Sequence, residues 1–404
     1  MPERLVVVGA SLAGLRAVEA AQRADPDLAI TLVGDEPHAP YDRPPLSKDL
    51  LAVDAERAET EFRPVDDLRA AGVELRLGEP ATGLDLTARV VTVGGADVPY
   101  DRLVLATGSS PRRLPGTDGL AGVHTMRGID DSRAIRAALD SGARTVVIGA
   151  GFIGAEIASA ARARDLDVTV VEALPTPLVR AVGAPAGGSL ARLHRDHGTT
   201  LLTEAKVAGL EGDDHVAGVR LADGTLLPAD LVVVGVGADP NTGWLEGSGL
   251  TVDDGVVCNE TLRAADNVWA AGDIARWPNA VFGRSMRVEH WTNAAEQGVR
   301  AGRNAAHPDA AEPYASVPYF WSDWYGSRIQ FVGVPSVDET EVVWGDADAD
   351  HFLTLYREGD RVAGALALNG QGVIMRIRKL IAGGAAWDTA LDAARALPSK
   401  KREA

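Results

Sequence analysis

The chain has 404 residues, 46% of them hydrophobic, with 44 glycines and a formal net charge of −17. The length supports two or three domains of α/β type, and the acidic balance argues against nucleic acid, whose phosphates need a basic face. No apolar run reaches bilayer length, a charged Glu3-Arg4 precedes the first apolar run, and the single cysteine, Cys258, forbids an intramolecular disulfide and a dithiol mechanism. A cytoplasmic protein without membrane segments is expected.

The first element is the apolar run Leu5-Val6-Val7-Val8, read as a buried parallel strand that breaks at Gly9 into a helix through Leu15, Val18 and Ala21. Such a turn offers the helix N-terminal N–H groups to a pyrophosphate. A second run, Ala29 to Val33, ends in Gly34 and Asp35, where an acid can accept hydrogen bonds from an adenosine ribose. The usual second glycine of this fingerprint is Ser11.

The stretch Glu36 to Lys48 is too rich in proline for a regular element. Its Arg43 and Lys48 suit a rigid wall beside a flat, phosphate-bearing cofactor; a purely structural connection would have the same composition. From Val73 to Val93 short strands (VELRL, RVVTV) read as an antiparallel insertion. Arg102 to Leu105 is another buried strand, and Ala106-Thr107-Gly108 is a small-residue turn that lets a ligand approach the backbone. The Pro- and Gly-rich segment from Pro111 to Gly119 reads as a linker.

The opening pattern then returns. Thr145 to Ile148 is a strand, Gly149-Ala150-Gly151-Phe152-Ile153-Gly154 a turn with all three glycines, Ala155 to Ala163 a helix, and Val168 to Val171 a strand ending in Glu172. A carboxylate there chelates a free 2′-hydroxyl and repels a 2′-phosphate, and Ala173-Leu174 offer no phosphate reader. NAD(H) is therefore favoured over NADP(H). Leu231 to Val234 leads into Gly235 and Gly237, and Val268 to Ala270 into Gly272-Asp273. Asp273 could hold a polyol, although a Gly-Asp pair is also simply a turn. After Glu289-His290-Trp291, a helix is expected from Asn293 to Ala306, with Asn293 and Glu296 as a capping box. No His, Cys or carboxylate cluster has metal spacing, so no metal site is assigned.

The last hundred residues change character. An aromatic stretch, Pro318 to Tyr325, precedes alternating strands (RIQFVG, ETEVVWG, HFLTLYR, RVAGALAL) and one helix from Gln371 to Ile381. This reads as a small α+β module. The helix carries Arg376, Arg378 and Lys379, either a solvated face or a docking surface.

The markers YDRPPLSK (Tyr41 to Lys48), GFIGAE (Gly151 to Glu156), AAGDI (Ala270 to Ile274) and PYFWSD (Pro318 to Asp323) extend over almost the whole chain. With them the sequence resembles the FAD-dependent NADH:ferredoxin reductases of bacterial oxygenase systems, and more distantly apoptosis-inducing factor and rubredoxin reductases. The resemblance implies a glutathione-reductase-like plan of two Rossmann-like dinucleotide-binding domains, the NAD domain inserted in the FAD domain, plus the small C-terminal α+β domain. The corresponding boundaries are 1–112 and 239–312 for FAD, 113–238 for NADH, and 313–404 for the last domain.

The resemblance also implies site residues. FAD would be held by Gly9, Ala10, Ser11, Ala13, Gly14, Asp35, Arg43, Lys48, Ala81, Ala106, Thr107, Gly108, Gly272 and Asp273, with Trp291 and Trp321 near its ring. NADH would be held by Gly149, Gly151, Phe152, Ile153, Gly154, Glu156, Glu172 and Arg180, and Gly237 and Glu289 complete the cofactor contacts. Lys48, Glu156 and Trp291 are the implied catalytic set, Glu156 facing Lys48 beside the flavin. The implied partner is a two-iron two-sulfur ferredoxin receiving electrons one at a time, in a monomer or homodimer. A rubredoxin reductase, an NADH oxidase and a flavin-bearing redox sensor are the alternative readings. Ser11 and Trp324, the latter where several relatives carry a non-aromatic residue, are the departures from the family pattern.

Overall fold

The computed structural model describes residues 2–53, 60–117, 119–335, 338–346 and 349–397. It forms two compact units, one of Met1–Asp42, Glu59–Ser110 and Asp239–Pro318, the other of Arg43–Ala58, Pro111–Ala238 and Tyr319–Ala404.

The first unit is built on a six-stranded sheet in the order Arg263–Ala265, Val268–Ala270, Arg102–Leu105, Arg4–Val8, Ala29–Gly34, Val73–Leu77. Neighbours are parallel except at the first pair, which is antiparallel. Leu5 to Val8 are at most 2% exposed, as expected for a strand covered on both faces. Each such side chain contributes about 1.5–3 kcal/mol on burial. Helices Leu12–Ala24 and Trp291–Ala306 pack backbone to backbone: a Cβ on Gly298 would lie 2.3 Å from the Ala13 carbonyl oxygen, and one on Gly302 2.2 Å from that of Ala17.

Two sequence expectations fail in this unit. Val73–Leu77 belongs to the parallel sheet as its edge, not to the antiparallel insertion, which consists of Ala81–Asp85, Val90–Val93 and Ala96–Pro99. Edge position leaves only Val73 buried, so the strand has the alternating look of an antiparallel one. The helix expected at Asn293 begins at Trp291 with His290 as its N-cap, and the capping box does not form. Asn293 instead donates to the Val288 carbonyl at 3.1 Å, while Glu296 accepts from the Tyr314 and Ser316 hydroxyls.

The second unit holds a parallel sheet in the order Thr200–Leu202, Val168–Val171, Thr145–Ile148, Leu231–Val234, Val123–His124. Its other half is a five-stranded antiparallel sheet, Tyr319–Trp324, Ser327–Gly333, Arg361–Leu368, Phe352–Glu358, Glu339–Gly345, with helices Gln371–Ala382 and Trp387–Arg395. The aromatic stretch, not read as an element in the sequence, is the first of these strands, and the second helix went unread too. A common core joins the halves: Ala155, Leu190 and Leu193 pack with Trp324, Phe331 and Tyr356, and the Tyr356 hydroxyl donates to the Val182 carbonyl at 2.6 Å. Among the described residues no helix is long and apolar enough to cross a membrane.

The turn after Trp324 is a two-residue hairpin with left-handed Tyr325 (φ +50) and Gly326 (φ +78). Its tip is pinned to the other half: Tyr325 N–H donates to Ser159 Oγ at 2.8 Å, and its hydroxyl lies 2.8 Å from His194 Nδ1 and 2.9 Å from Thr199 Oγ1. Burial pushes the His194 imidazole down to about 4, with Arg195 and His197 adding like charge. The unfolded chain takes up this proton near 6.5, so stability is fully present above that pH and falls as the pH drops towards 4. The urea midpoint of a His194→Gln variant should therefore fall less steeply over this window than that of the wild type; parallel slopes would be the contrary result.

Candidate functional site

In the first unit the strand Arg4–Val8 runs into Gly9 at φ +120, where a Cβ would lie 2.1 Å from the Ala106 carbonyl oxygen. Five residues on, a Cβ on Gly14 would lie 1.9 Å from the Gly9 carbonyl. Both positions demand glycine because backbone occupies the side-chain volume. Ser11 sits at φ −122, extended backbone that any residue adopts, so serine replaces glycine here without strain. The helix it caps carries no acidic residue in its first turn, which leaves the positive helix end for an anion.

Around this turn the unit gathers several of the expected residues. Thr107 Oγ1 donates to the Asn241 carbonyl at 3.1 Å, and Asn241 Nδ2 returns a bond to the Thr107 carbonyl at 2.9 Å, fixing the Ala106–Gly108 turn. Gly272 N–H donates to buried Gln297 at 2.8 Å, and Asp273 accepts from Ser109 Oγ at 2.8 Å. One carboxylate oxygen of Asp273 is thus used to aim the group. The Trp291 indole is anchored by a 2.7 Å bond to Asp42, Glu289 pairs with Arg287 at 2.5 Å, Asp35 is exposed at its strand end, and Ala81 opens the antiparallel insertion. Gln297, Ser109 and Asn241 are supports that no motif had singled out.

The second unit repeats the turn. Gly149 has φ +102 and a Cβ there would lie 2.3 Å from the Gly235 carbonyl, while one on Gly154 would lie 2.3 Å from the Gly149 carbonyl. At Gly151 the nearest atom to such a Cβ is 3.8 Å away, so the middle position of this turn is open on the protein side. Again the helix, Phe152–Arg162, has no acid in its first turn. Glu172 is held by backbone: Ala150 N–H donates to one carboxylate oxygen at 3.0 Å and Leu174 N–H to the other at 2.9 Å. Gly237 accepts from Arg112 N–H at 2.9 Å. Ile153 and Val236 are 43% and 37% exposed beside the turn, and Arg180 is exposed on a short helix.

The same unit contains a buried ion pair. Glu156, 4% exposed, lies 2.7 Å from Lys48 Nζ. Its carboxylate also accepts from Ser47 Oγ, Ser322 Oγ and, at 3.4 Å, the Asp323 N–H. Trp321 stacks on Tyr319 with ring centroids 5.9 Å apart and lies under the Arg328 guanidinium. Arg43 donates to the Arg127 carbonyl at 2.6 Å, so part of its guanidinium serves the loop. Ser47 and Ser322 escaped the sequence reading, although they flank Lys48 and sit inside the FWSD marker.

Cys258 is buried and burial pushes its thiol up to about 12. No group of three or more His, Cys, Asp or Glu side chains among the described residues could hold a metal ion. What the geometry offers is two glycine turns that open helix ends without first-turn acids, an acid after the second strand of each unit's repeat, and a buried ion pair.

Residues 3–298 match the family model described as pyridine nucleotide-disulphide oxidoreductase, and residues 319–401 the one described as reductase C-terminal. The chain is 37% identical to rhodocoxin reductase of Rhodococcus erythropolis over 94% of its own length and 89% of the relative's. It is 36% identical, over 95% of both chains, to the ferredoxin–NAD(+) reductase component of the anthranilate 1,2-dioxygenase system of Burkholderia cepacia. Among solved structures, the covalent putidaredoxin reductase–putidaredoxin complex superposes with a TM-score of 0.91 at 31% identity, covering 98% of this chain and 99% of that one.

If Glu172 is the ribose acceptor its position in the sequence leads one to expect, Glu172→Arg removes that acceptor and supplies a phosphate reader. It should lower kcat/KM for NADH by about ten-fold and raise that for NADPH; steady-state kinetics with both coenzymes decide, and unchanged values would remove Glu172 from the coenzyme site.

Proposed function

The chain belongs to the pyridine nucleotide-disulphide oxidoreductases, and we propose that within that family it is a cytoplasmic, FAD-carrying NADH:ferredoxin oxidoreductase. Its acceptor is a two-iron two-sulfur ferredoxin that serves a monooxygenase or a ring-hydroxylating dioxygenase. One observation carries this reading: a chain with no cysteine pair builds the same glycine-turn cradle twice and follows it with a reductase C-terminal module. Two cradles hold two nucleotides, and without a dithiol the electrons pass to an external carrier. The names of the relatives, ferredoxin–NAD(+) reductase component and rhodocoxin reductase, supply the class of that carrier.

The first cradle fits FAD. Gly9, Ala10, Ser11, Ala13 and Gly14 present an unneutralised helix end to the pyrophosphate, Asp35 the adenosine ribose acceptor, and Asp273 a carboxylate for the ribityl hydroxyls. Ala81, Ala106, Thr107, Gly108, Gly272 and Glu289 complete that side, and the helix beginning at Trp291 stabilises negative charge at its N-terminus. The second cradle fits NADH, with Gly149 to Gly154 at the pyrophosphate, Glu172 at the ribose, and Arg180 and Gly237 beside it. The isoalloxazine supplies hydride acceptance and one-electron release when FAD is bound. Lys48 and Glu156 contribute a fixed, desolvated charge pair, and Trp291 and Trp321 are the aromatic residues assigned to the isoalloxazine. In this reading residues 1–112 and 239–312 form the FAD domain, 113–238 the NADH domain and 313–404 the third domain.

Stopped-flow mixing of the yellow protein with NADH tests the proposal. Bleaching of the flavin, followed by fast reoxidation with a single ferredoxin out of a panel containing ferredoxins and a rubredoxin, is the expected result. Bleaching without any accepted carrier would make the protein a sensor, and no bleaching would refute the two-nucleotide reading.

The helix Gln371–Ala382 buries Val373, Ile374, Ile377 and Ile381 and turns Met375, Arg376 and Lys379 outward. Charge reversal at Arg376, Arg378 and Lys379 should raise the ferredoxin KM about ten-fold at low salt while ferricyanide reduction stays intact. An unaltered KM would leave these residues as a solvated face.

A further inference from the structure

Trp324 is fully buried, and its indole N–H donates to Ser322 Oγ at 2.7 Å. Ser322 is also fully buried, and its hydroxyl donates to Glu156 Oε1, the oxygen 2.7 Å from Lys48 Nζ. An indole nitrogen can only donate, and a serine hydroxyl has one proton. With the indole occupying its lone pair, the Ser322 proton has the carboxylate as its acceptor. The period of the strand Tyr319–Trp324 puts Phe320, Ser322 and Trp324 on one face. Phe320 and Trp324 on that face meet the ring of Phe152, at centroid distances of 4.6 Å and 6.1 Å, immediately after the second glycine of the NADH turn. The pinned Tyr325-Gly326 hairpin holds this strand end against the cradle helix.

We infer that Trp324 is a positioning residue for electron transfer from NADH: its N–H orients the Ser322 hydroxyl, which fixes the Glu156 carboxylate and through it Lys48. This rests on the assignment of Lys48 and Glu156 to the flavin site made above. Among the described residues the indole nitrogen reaches Glu156 through Ser322, so the effect of Trp324 is routed through one hydroxyl. A ring that merely filled space would act independently of it.

The holoprotein provides the test, with limiting rate of flavin bleaching and Kd for NADH read separately by stopped flow. Trp324→Phe keeps a ring and loses the donor, and Ser322→Ala removes the relay; each should slow the limiting rate about ten-fold with the Kd for NADH unchanged. The double variant should be no slower than either single one. Trp324→Gln, which restores an N–H donor, should recover rate relative to Trp324→Leu. A readout independent of turnover is the 15N–1H resonance of the Trp324 indole, which should shift and exchange faster with solvent in Ser322→Ala. Multiplying losses in the double variant, or an undisturbed resonance, would overturn the relay and leave Trp324 a packing residue. Should Trp324→Phe not accumulate folded, a normal bleaching rate in Ser322→Ala alone would overturn it. Glu156→Gln and Lys48→Met separate the two levels: if neither slows bleaching, the flavin-site assignment fails, whereas if both do and Trp324→Phe does not, only the relay fails.

Discussion

The structure depends on a contact between backbones where a side chain would normally stand. At Gly9 the space a Cβ needs is taken by the carbonyl of Ala106, and at Gly149 by that of Gly235. This contact lets a parallel strand turn within a few residues into a helix whose first N–H groups point outward. Any larger residue would force the neighbouring strand end away and blunt the helix terminus as an anion site. The chain uses this solution twice, in two parallel sheets with the same local order, each setting its glycine-turn strand between the strand that follows and a later one, which is why the two cradles can be compared position by position. That comparison explains Ser11: the middle position of each turn has extended backbone, and at Gly151 no protein atom comes nearer than 3.8 Å to a built Cβ.

Against this permissive scaffold, the carboxylate of Glu156 is the costly element. Removing one partner from a buried charge pair costs about 3–5 kcal/mol, and here the compensation comes from four donors on two separated stretches of chain. A core position on a helix otherwise lined with Ala155, Ile157 and Ala158 would be better served for stability by an apolar residue. A buried carboxylate held this way suits the role proposed for it above.

Much of the fold was legible because buried parallel strands are continuous apolar runs and the turns after them are spelled in glycine. Leu5–Val8, Thr145–Ile148 and Leu231–Val234 needed no tertiary information. What escaped is what long-range packing decides. Val73–Leu77 looks half-polar because it lies at a sheet edge, and the helix near Trp291 starts early because Asn293 and Glu296 are engaged by Val288, Tyr314 and Ser316. Tyr319–Trp324 is aromatic at four of six positions, and only its pairing with Ser327–Gly333 reveals alternation. In the site, the glycines and Glu172 could be read from spacing. Ser47 and Ser322 could not, since they meet Glu156 across 109 and 166 residues of sequence, and a serine inside a motif gives no sign of which distant acid it serves.

The lone Cys258, held in a strand-lined interior with its proton retained to about pH 12, has a practical corollary. A cysteine introduced on the surface would be the one reactive sulfur of the molecule. Spectroscopic labels and crosslinkers could then be attached at a single chosen point without first stripping the native chain of thiols. Distances between that point and a labelled electron acceptor can thus be measured in the working protein.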